Sequence, residues 1–282
     1  MNQVPTIKLN NGTLMPQLGF GVWQVPDDEA EQVVGTALEA GYRSIDTASV
    51  YGNETGTGRA IAASGLPREE LFVTTKLWNV KTHAWDRDRV LRALDTSLSQ
   101  LGLDHLDLYL IHWPRPMRDD FLTIWKTFEE IAASGRAKAV GVSNFRPVDL
   151  ERIGAVSALV PAVNQIELHP LFPQTELRAL HARLGITTEA WSPLGQGQEL
   201  LTLPAVAEIA AKHGRSAAQV VLRWHLQQGN VVIPKSVTPA RIRENLDVFD
   251  FELDAADIAA LDALGAGPAG RRIGPDPARF DI

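Results

Sequence analysis

Residues 106–112 read Leu-Asp-Leu-Tyr-Leu-Ile-His, a β-like apolar run that ends on an imidazole. Three other runs also lead to residues that can move or stabilise a proton: 44–46 (Ser-Ile-Asp, with Tyr51 five residues on), 71–76 (Leu-Phe-Val-Thr-Thr-Lys) and 139–144 (Ala-Val-Gly-Val-Ser-Asn). Repeated strands with chemistry at their carboxyl ends are typical of a (β/α)8 TIM barrel, in which those ends meet at one mouth. The pattern therefore predicts a barrel that brings these distant residues together.

The rest of the chain supplies the alternation of strands and helices that a barrel needs. Apolar residues spaced by three or four positions, as between Val90 and Leu101, predict helices between the strands. The Asn-Gly pair at 11–12 predicts the tight turn of an N-terminal β-hairpin. Eight strands separated by helices favour a parallel barrel over an open sheet. The candidate strands lie near 17–21, 43–46, 71–76, 106–112, 137–143, 162–167, 186–191 and 231–234.

Composition limits the class of protein. The chain has 282 residues, of which 45% are hydrophobic and 22% charged, so we expect one globular domain over residues 1–282. It contains no cysteine, no run of about 18 apolar residues and no signal-peptide pattern, which together favour the cytoplasm. A net charge of −7 argues against nucleic-acid binding. The Gly/Pro-rich tail from 265 to 282 is expected to form a loop near the barrel mouth, with a frayed terminus as the alternative.

The common nucleotide-binding and hydrolytic motifs are missing from the sequence. Gly19-Phe20-Gly21 begins a Gly-x-Gly-x-x-Gly pattern without its third glycine, and residues 56–58 are also incomplete. There is no phosphate loop, His-Glu-x-x-His pair or Gly-x-Ser-x-Gly elbow, and the seven histidines show no metal-ligand spacing. We therefore expect no metal, and a bound dinucleotide would not be held in the Rossmann manner.

Asp46, Tyr51, Lys76 and His112 are the candidate catalytic residues. Each alone has a plain structural explanation, such as packing or a solvated strand end, but together they suit the reduction of a carbonyl group. That reaction needs a hydride at carbon and a proton at oxygen, which a tyrosine can donate if its pKa of about 10 moves towards neutral. A lysine ammonium ~4 Å away supplies roughly 4 kcal/mol at an effective dielectric of about 20, enough to lower that pKa by up to about 3.

The remaining roles in this set follow from the same chemistry. A carboxylate keeps the lysine charged and in place, and an imidazole can orient the substrate oxygen, so Asp46 and His112 suit these two roles.

The chain resembles the aldo-keto reductase superfamily over essentially its whole length, with the matching motifs in family order. The resemblance is strongest to the bacterial branch that contains the 2,5-diketo-gluconate reductases, especially at residues 193–197 and 244–251. It implies a (β/α)8 barrel with a catalytic tetrad at Tyr51, Lys76, Asp46 and His112. The matching stretches are residues 41–48 running into 51–54, then 74–78, 107–114, 141–145, 164–167 and 233–236.

The resemblance also implies that NADPH lies extended across the barrel mouth. Ser143, Asn144 and Gln165 would hydrogen-bond the nicotinamide carboxamide, and Trp191 would stack on the ring, since tryptophan keeps the aromatic face that a tyrosine supplies in many relatives. The other implied cofactor contacts are Ser192, Leu194, Lys235, Ser236 and Arg241, with Asn245 at the adenine.

The phosphate end can also be argued from the residues themselves. Thr238 and Pro239 open a predicted helix, whose N-terminus favours anions. Arg241 falls in the first turn, where the helix dipole disfavours a cation, so its presence indicates a ligand phosphate. The resemblance implies that Lys235, Ser236 and Arg241 surround the adenosine 2′-phosphate, which predicts a preference for NADPH over NADH. The alternative is a surface salt bridge between Arg241 and Glu244.

Three tryptophans are the candidate substrate wall. Trp23, Trp78 and Trp113 follow the first, third and fourth strands, so a barrel would gather them around Tyr51, with Asn79 as a further polar contact. Single tryptophans near strand ends are usually core residues. An aromatic wall accepts many carbonyl compounds, so small aldehydes, α-dicarbonyls and keto-sugars such as 2,5-diketo-gluconate all remain open.

The sequence thus predicts an NADPH-dependent carbonyl reductase, and the family leans towards monomers. The first alternative is a cofactor-binding regulatory or structural protein on the same fold, against which the intact tetrad argues. The second is a (β/α)8 lyase or isomerase without nicotinamide, which does not explain Lys235, Ser236 and Arg241 after the last strand.

Overall fold

A parallel sheet of eight strands forms the centre of the fold in the computed structural model, which describes residues 4–78, 85–266 and 271–280. Each strand pairs with the next one in the chain, and the first and last meet where Leu18 bridges Val232 in parallel. The sheet therefore closes into a barrel, and the predicted fold class is confirmed. The strands are β3 (Phe20–Gly21), β4 (Ser44–Asp46), β5 (Phe72–Leu77), β6 (Leu106–Ile111), β7 (Ala137–Ser143), β8 (Val163–Glu167), β9 (Thr187–Trp191) and β10 (Val231–Val232).

The predicted N-terminal hairpin is confirmed and covers the end of the barrel opposite the mouth. Its strands are β1 (Thr6–Lys8) and β2 (Leu14–Pro16), which pair antiparallel around a turn where Gly12 has a φ of 92°. Leu9 and Met15 are buried in a cluster with barrel residues such as Leu108 and Val231. The hairpin thus contributes the apolar floor of the barrel.

Helices follow the strands and pack outside the barrel. Asp86 caps α3 by accepting a hydrogen bond from the Arg89 amide at 2.9 Å, and the apolar positions predicted between Val90 and Leu101 face the core. The helices are α1 (Asp27–Ala40), α2 (Glu54–Ala63), α3 (Arg87–Leu101), α4 (Phe121–Ala133), α5 (Pro147–Val156), α6 (Thr175–Leu184), α7 (Pro204–His213), α8 (Ala217–Gln227), α9 (Pro239–Leu246) and α10 (Ala255–Ala263). No helix in the described ranges is long and apolar enough to cross a membrane.

The first and last strands of the sheet are shorter than predicted. The last was expected over 231–234 but ends at Val232, because Pro234 has no amide hydrogen to continue the ladder. The Pro234 carbonyl still accepts a hydrogen bond from the Gly21 amide at 3.2 Å. The chain after the last strand therefore stays alongside the first strand.

The tail covers the barrel mouth in its described part, residues 271–280. The Glu167 carboxylate at the end of β8 accepts hydrogen bonds from the amides of Ile273 (2.5 Å) and Gly274 (2.9 Å). Phe280 stacks on Trp113 with ring centroids 4.0 Å apart. These contacts favour the predicted loop over the frayed terminus for this stretch.

Two helical glycines differ in the space around them and give a matched test of this packing. A Cβ on Gly58 in α2 would lie 2.5 Å from the Leu101 carbonyl oxygen, whereas a Cβ on Gly35 in α1 would meet nothing within 4 Å. We expect Gly58→Ala to lower the free energy of unfolding by about 1–3 kcal/mol through overpacking. Gly35→Ala should raise it by about 0.5–1 kcal/mol through helix propensity and reduced freedom of the unfolded chain. Urea unfolding measures both, and equal effects would contradict the close approach of α2 to α3.

Candidate active site

A buried ion pair lies at the centre of the site. The Lys76 ammonium donates to the Asp46 carboxylate at 2.6 Å, to the Thr47 carbonyl at 2.9 Å and to the Tyr51 hydroxyl at 3.5 Å. Lys76 is 0% and Asp46 2% exposed. Parallel pairing of β4 with β5, which sets Asp46 opposite Thr74, puts both side chains inside the barrel. A charge buried this deeply is stable only when it is paired, so each residue requires the other.

Tyr51 reaches the ion pair from a short connection after β4. A single 3₁₀ turn spans Ser49–Tyr51 and ends at Gly52, whose φ of 66° is readily adopted only by glycine. The Ser49 hydroxyl donates to the Lys76 carbonyl at 3.0 Å, which ties this turn to β5. The phenol is therefore held beside the lysine by the backbone of two adjacent strands.

The charge of Lys76 is maintained by its neighbours. Burial lowers the pKa of Lys76, but the charge of Asp46 and its hydrogen bond raise it, and the result lies above the ordinary lysine value. Lys76 is thus an ammonium at neutral pH, as the sequence-based argument requires.

The pKa of Tyr51 corrects that argument. Burial raises this pKa, and it outweighs Lys76, which lowers it through its charge and its hydrogen bond. The pKa of Tyr51 therefore lies above its ordinary value, and the expectation that it moves towards neutral is wrong. The reason is desolvation, because a phenolate at this position loses the water that stabilises it. Tyr51 consequently keeps its proton at neutral pH, which is the state that a proton donor needs.

His112 follows β6, and its imidazole ring lies beside the ring of Tyr51. Its ring centroid lies 5.8 Å from that of Tyr51 and 5.0 Å from that of Trp78. Burial and then the charge of Lys76 hold the pKa of His112 well below its usual range. The imidazole is neutral at pH 7, so it can donate one N–H hydrogen bond without adding charge.

The polar residues expected at the nicotinamide form a connected group. The Asn144 amide donates to the His112 carbonyl and to the Ser143 hydroxyl, both at 3.0 Å. Its oxygen accepts from the Trp191 indole at 2.8 Å, which fixes the plane of that ring. The Gln165 amide nitrogen donates to Asp46 at 2.8 Å, so this group is joined directly to the ion pair. The amide of Asn144 is therefore occupied by its protein neighbours. Within the described residues the amide oxygen of Gln165 accepts no hydrogen bond.

One cavity of about 1070 Å³ joins the tetrad to the basic end of the barrel mouth. Tyr51 and His112 line one end, and Lys235 and Arg241 line the other. In the described part of the chain no ion pair joins Arg241 to Glu244, so the salt-bridge alternative is not supported. A long cavity with an aromatic face, polar amides at one end and two cations at the other fits a dinucleotide with a terminal phosphate. The cavity residues expected from the sequence to bind cofactor are Ser143, Asn144, Gln165, Trp191, Ser192, Leu194, Lys235, Ser236, Arg241 and Asn245.

The three tryptophans expected at the substrate all line this cavity. Trp23 is 46% exposed, whereas Trp113 is buried beneath Phe280. Trp78 contacts Phe280 edge-on at 6.2 Å between centroids. Asn79, the other predicted contact, lies outside the described residues. No group of His, Cys, Asp or Glu in the described ranges has the arrangement of a metal site.

Sequence reasoning missed two residues that contact the residues of the site. Glu189 lies inside the barrel two positions before Trp191, so the two-residue period of a strand could have placed it on the same side. Phe280 had no such signal, because the tail has no periodicity and its contact with Trp113 depends on the fold.

Comparison with known proteins identifies the family. A sequence model of the Aldo/keto reductase family matches residues 9–266. An aldo-keto reductase of Mycolicibacterium smegmatis is 54% identical over 278 residues, covering 99% of this chain and 98% of the relative. Methylglyoxal reductase DkgA of Yersinia pestis is 48% identical over 281 residues, covering 99% of each. The solved structure of a Gox0644 mutant in complex with NADPH is 46% identical, with a TM-score of 0.93 and 100% of each chain covered.

The chain is thus similar throughout its length to oxidoreductases that act on carbonyl groups. The chain belongs to the aldo/keto reductase family. The family expected from the sequence is confirmed, and the DkgA relative accords with the expected bacterial branch.

Proposed function

We propose that the protein reduces aldehydes and ketones with NADPH and that Tyr51 donates the proton to the carbonyl oxygen. The reaction class and the cofactor follow from family membership and from the NADPH-bound structural relative. The observation that carries the residue roles is the contact of buried Lys76 with both Asp46 and Tyr51, two residues that line the cavity continuing to Arg241.

The tetrad residues have distinct roles in this mechanism. NADPH, when bound, supplies a hydride to the carbonyl carbon. His112 is neutral and orients the carbonyl oxygen through its N–H group, towards the Tyr51 hydroxyl. Tyr51 then transfers its proton to that oxygen, and the Lys76 ammonium stabilises the phenolate that remains. Asp46 keeps Lys76 charged and in position.

The proposed cofactor position follows the length of the cavity. Trp191 would stack on the nicotinamide in the plane that Asn144 fixes, and the free oxygen of Gln165 would accept from the carboxamide. Lys235 and Arg241 would bind the 2′-phosphate at the start of α9, where the amide groups of a helix N-terminus favour an anion.

The proposed substrate is a small aldehyde or an α-dicarbonyl. Flat aromatic walls from Trp23, Trp78 and Trp113 offer an apolar surface with few polar groups, which suits a short carbonyl compound. A methylglyoxal reductase among the relatives supports the α-dicarbonyl class. A non-catalytic binding protein would not need the paired Lys76 and Asp46. We further propose that the protein is a single-domain cytoplasmic monomer.

Replacing the proposed proton donor gives the first functional test. Tyr51→Phe should lower kcat for methylglyoxal by a factor of about 10²–10⁴, the usual contribution of general acid catalysis. NADPH binding, measured by fluorescence titration, should change less than about threefold, because the ring and its packing remain.

Tyr109→Phe is the matched control. Its hydroxyl is buried on β6 with no hydrogen-bond partner among the described residues, so its removal should leave kcat unchanged. Near-normal turnover of Tyr51→Phe would refute the assignment of the proton donor.

The cofactor preference is tested at the basic end of the cavity. Arg241→Ala should lower kcat/KM for NADPH about 10- to 100-fold, because a charge-assisted contact to phosphate contributes about 1.5–3 kcal/mol. The value for NADH should change less than about threefold, since NADH has no 2′-phosphate. Arg243→Ala, in the same helix but away from the cavity, is the control. Equal efficiency of the unmodified protein with both cofactors would contradict the proposed phosphate site.

A further inference from the structure

A second carboxyl group lies inside the barrel beside the tetrad. Glu189 on β9 pairs in register with Gln165 on β8, is 1% exposed, and is absent from the tetrad roles described above. The Gln165 amide nitrogen donates to Asp46 at 2.8 Å and to Glu189 at 2.9 Å. One amide therefore bridges the two carboxyl groups.

The surroundings of Glu189 favour its protonated form. Burial and then the charge of Asp46 raise the pKa of Glu189 to about 8, against the Gln165 hydrogen bond and the charge of Lys76, which lower it. The second carboxyl oxygen has no hydrogen-bond partner among the described residues, which makes an ionised group costly there. Glu189 therefore holds a proton at neutral pH, close to the ion pair of Asp46 and Lys76.

The charged and titratable groups that act on Glu189 come from three elements. They are Asp46 at the end of β4, Lys76 in β5 and Tyr51 in the turn after β4. The strands on either side of β9 present Gln165 and Val231 at the level of Glu189, and neither side chain is charged. Ionisation of Glu189 therefore acts mainly on the tetrad.

We propose that Glu189 is a positioning residue for the tetrad: bridged to Asp46 through Gln165, its carboxyl group sets the pH range in which Tyr51 exchanges a proton with the substrate oxygen. The inference rests on the proposed function, in which Tyr51 is the proton donor.

The direction of the effect follows from the charges. Burial is the largest cause that raises the pKa of Tyr51, and a negative Glu189 raises it further. As the pH rises through about 8, Glu189 ionises and Tyr51 holds its proton more firmly. Carbonyl reduction, which needs the phenol, is preserved at alkaline pH. Alcohol oxidation, which needs the phenolate as a base, is suppressed there.

The test compares Glu189→Gln with the unmodified protein in both directions. The substitution keeps the size of the side chain and an oxygen that can accept from Gln165, but it cannot ionise. At about pH 6.5 both proteins should oxidise an alcohol with NADP⁺ at the same kcat/KM within about twofold, since Glu189 is neutral there. At about pH 9.5 the variant should be about tenfold faster, the effect of a pKa change of about 1 at Tyr51. Reduction of methylglyoxal at about pH 6.5 and KM for NADPH should stay within about twofold.

Glu54→Gln is the matched control. Glu54 is also a buried carboxyl, but it lies outside the barrel wall and accepts from Thr75 at 2.6 Å and Ser97 at 3.2 Å. For Glu54→Gln, kcat/KM for alcohol oxidation should change with pH as it does in the unmodified protein. An equal alkaline gain in Glu54→Gln would overturn the inference, because any buried carboxyl would then have the same effect.

A measurement on the unmodified protein remains decisive if Glu189→Gln does not fold. The logarithm of kcat/KM for alcohol oxidation should rise with unit slope below about pH 7, flatten while Glu189 ionises, and rise again above about pH 9. An unbroken unit slope, or superimposable profiles for Glu189→Gln and the unmodified protein, would overturn the proposed role of Glu189. Either result would leave the proposed function intact. Absence of NADPH turnover with every aldehyde would overturn the proposed function, and this inference with it.

Discussion

The ion pair between Lys76 and Asp46 is the constraint on which the site depends. Both side chains lie inside the barrel, where an unpaired charge is strongly destabilising and a paired one is tolerated. The pair therefore fixes the ammonium at one point, 3.5 Å from the Tyr51 hydroxyl. It also connects Tyr51 to the polar amide groups of the mouth, because Asp46 accepts a hydrogen bond from Gln165. In the proposed mechanism, proton transfer and cofactor placement are thus linked through one carboxylate.

The titratable groups that surround Tyr51 carry little net charge at neutral pH. Lys76 and Asp46 balance each other, His112 is held neutral by burial, and Glu189 retains a proton. The aromatic walls and the tail that Glu167 holds over the mouth help to bury these groups. In such surroundings a single added charge changes proton affinities far more than it would in water. The pKa of Tyr51 rises despite its lysine neighbour because burial removes the water that would stabilise the phenolate. The phenol therefore stays protonated, which suits reduction.

The features that could be predicted from the sequence are those that repeat along the chain or depend on neighbouring residues. Strand ends such as 71–76 and 106–112 could be placed because polar groups terminate apolar runs, and the Asn-Gly turn before β2 is encoded by two residues. The sign of the Tyr51 pKa change could not be predicted, because it depends on burial by distant parts of the chain. The stack of Phe280 on Trp113 joins residues far apart in sequence and leaves no pattern. Glu189 was predictable in principle from strand alternation, but not its bridge to Asp46.

The central claim, that Lys76 and Asp46 act as one unit on Tyr51, is tested most directly by a double-mutant cycle. kcat/KM for NADPH-dependent reduction of methylglyoxal is measured for the unmodified protein, Asp46→Asn, Lys76→Met and the double variant. Residues that act as a unit give strongly non-additive losses. The account predicts that the double variant is no more than about threefold slower than the slower single variant. Losses that multiply would show that the two residues contribute independently and would contradict it.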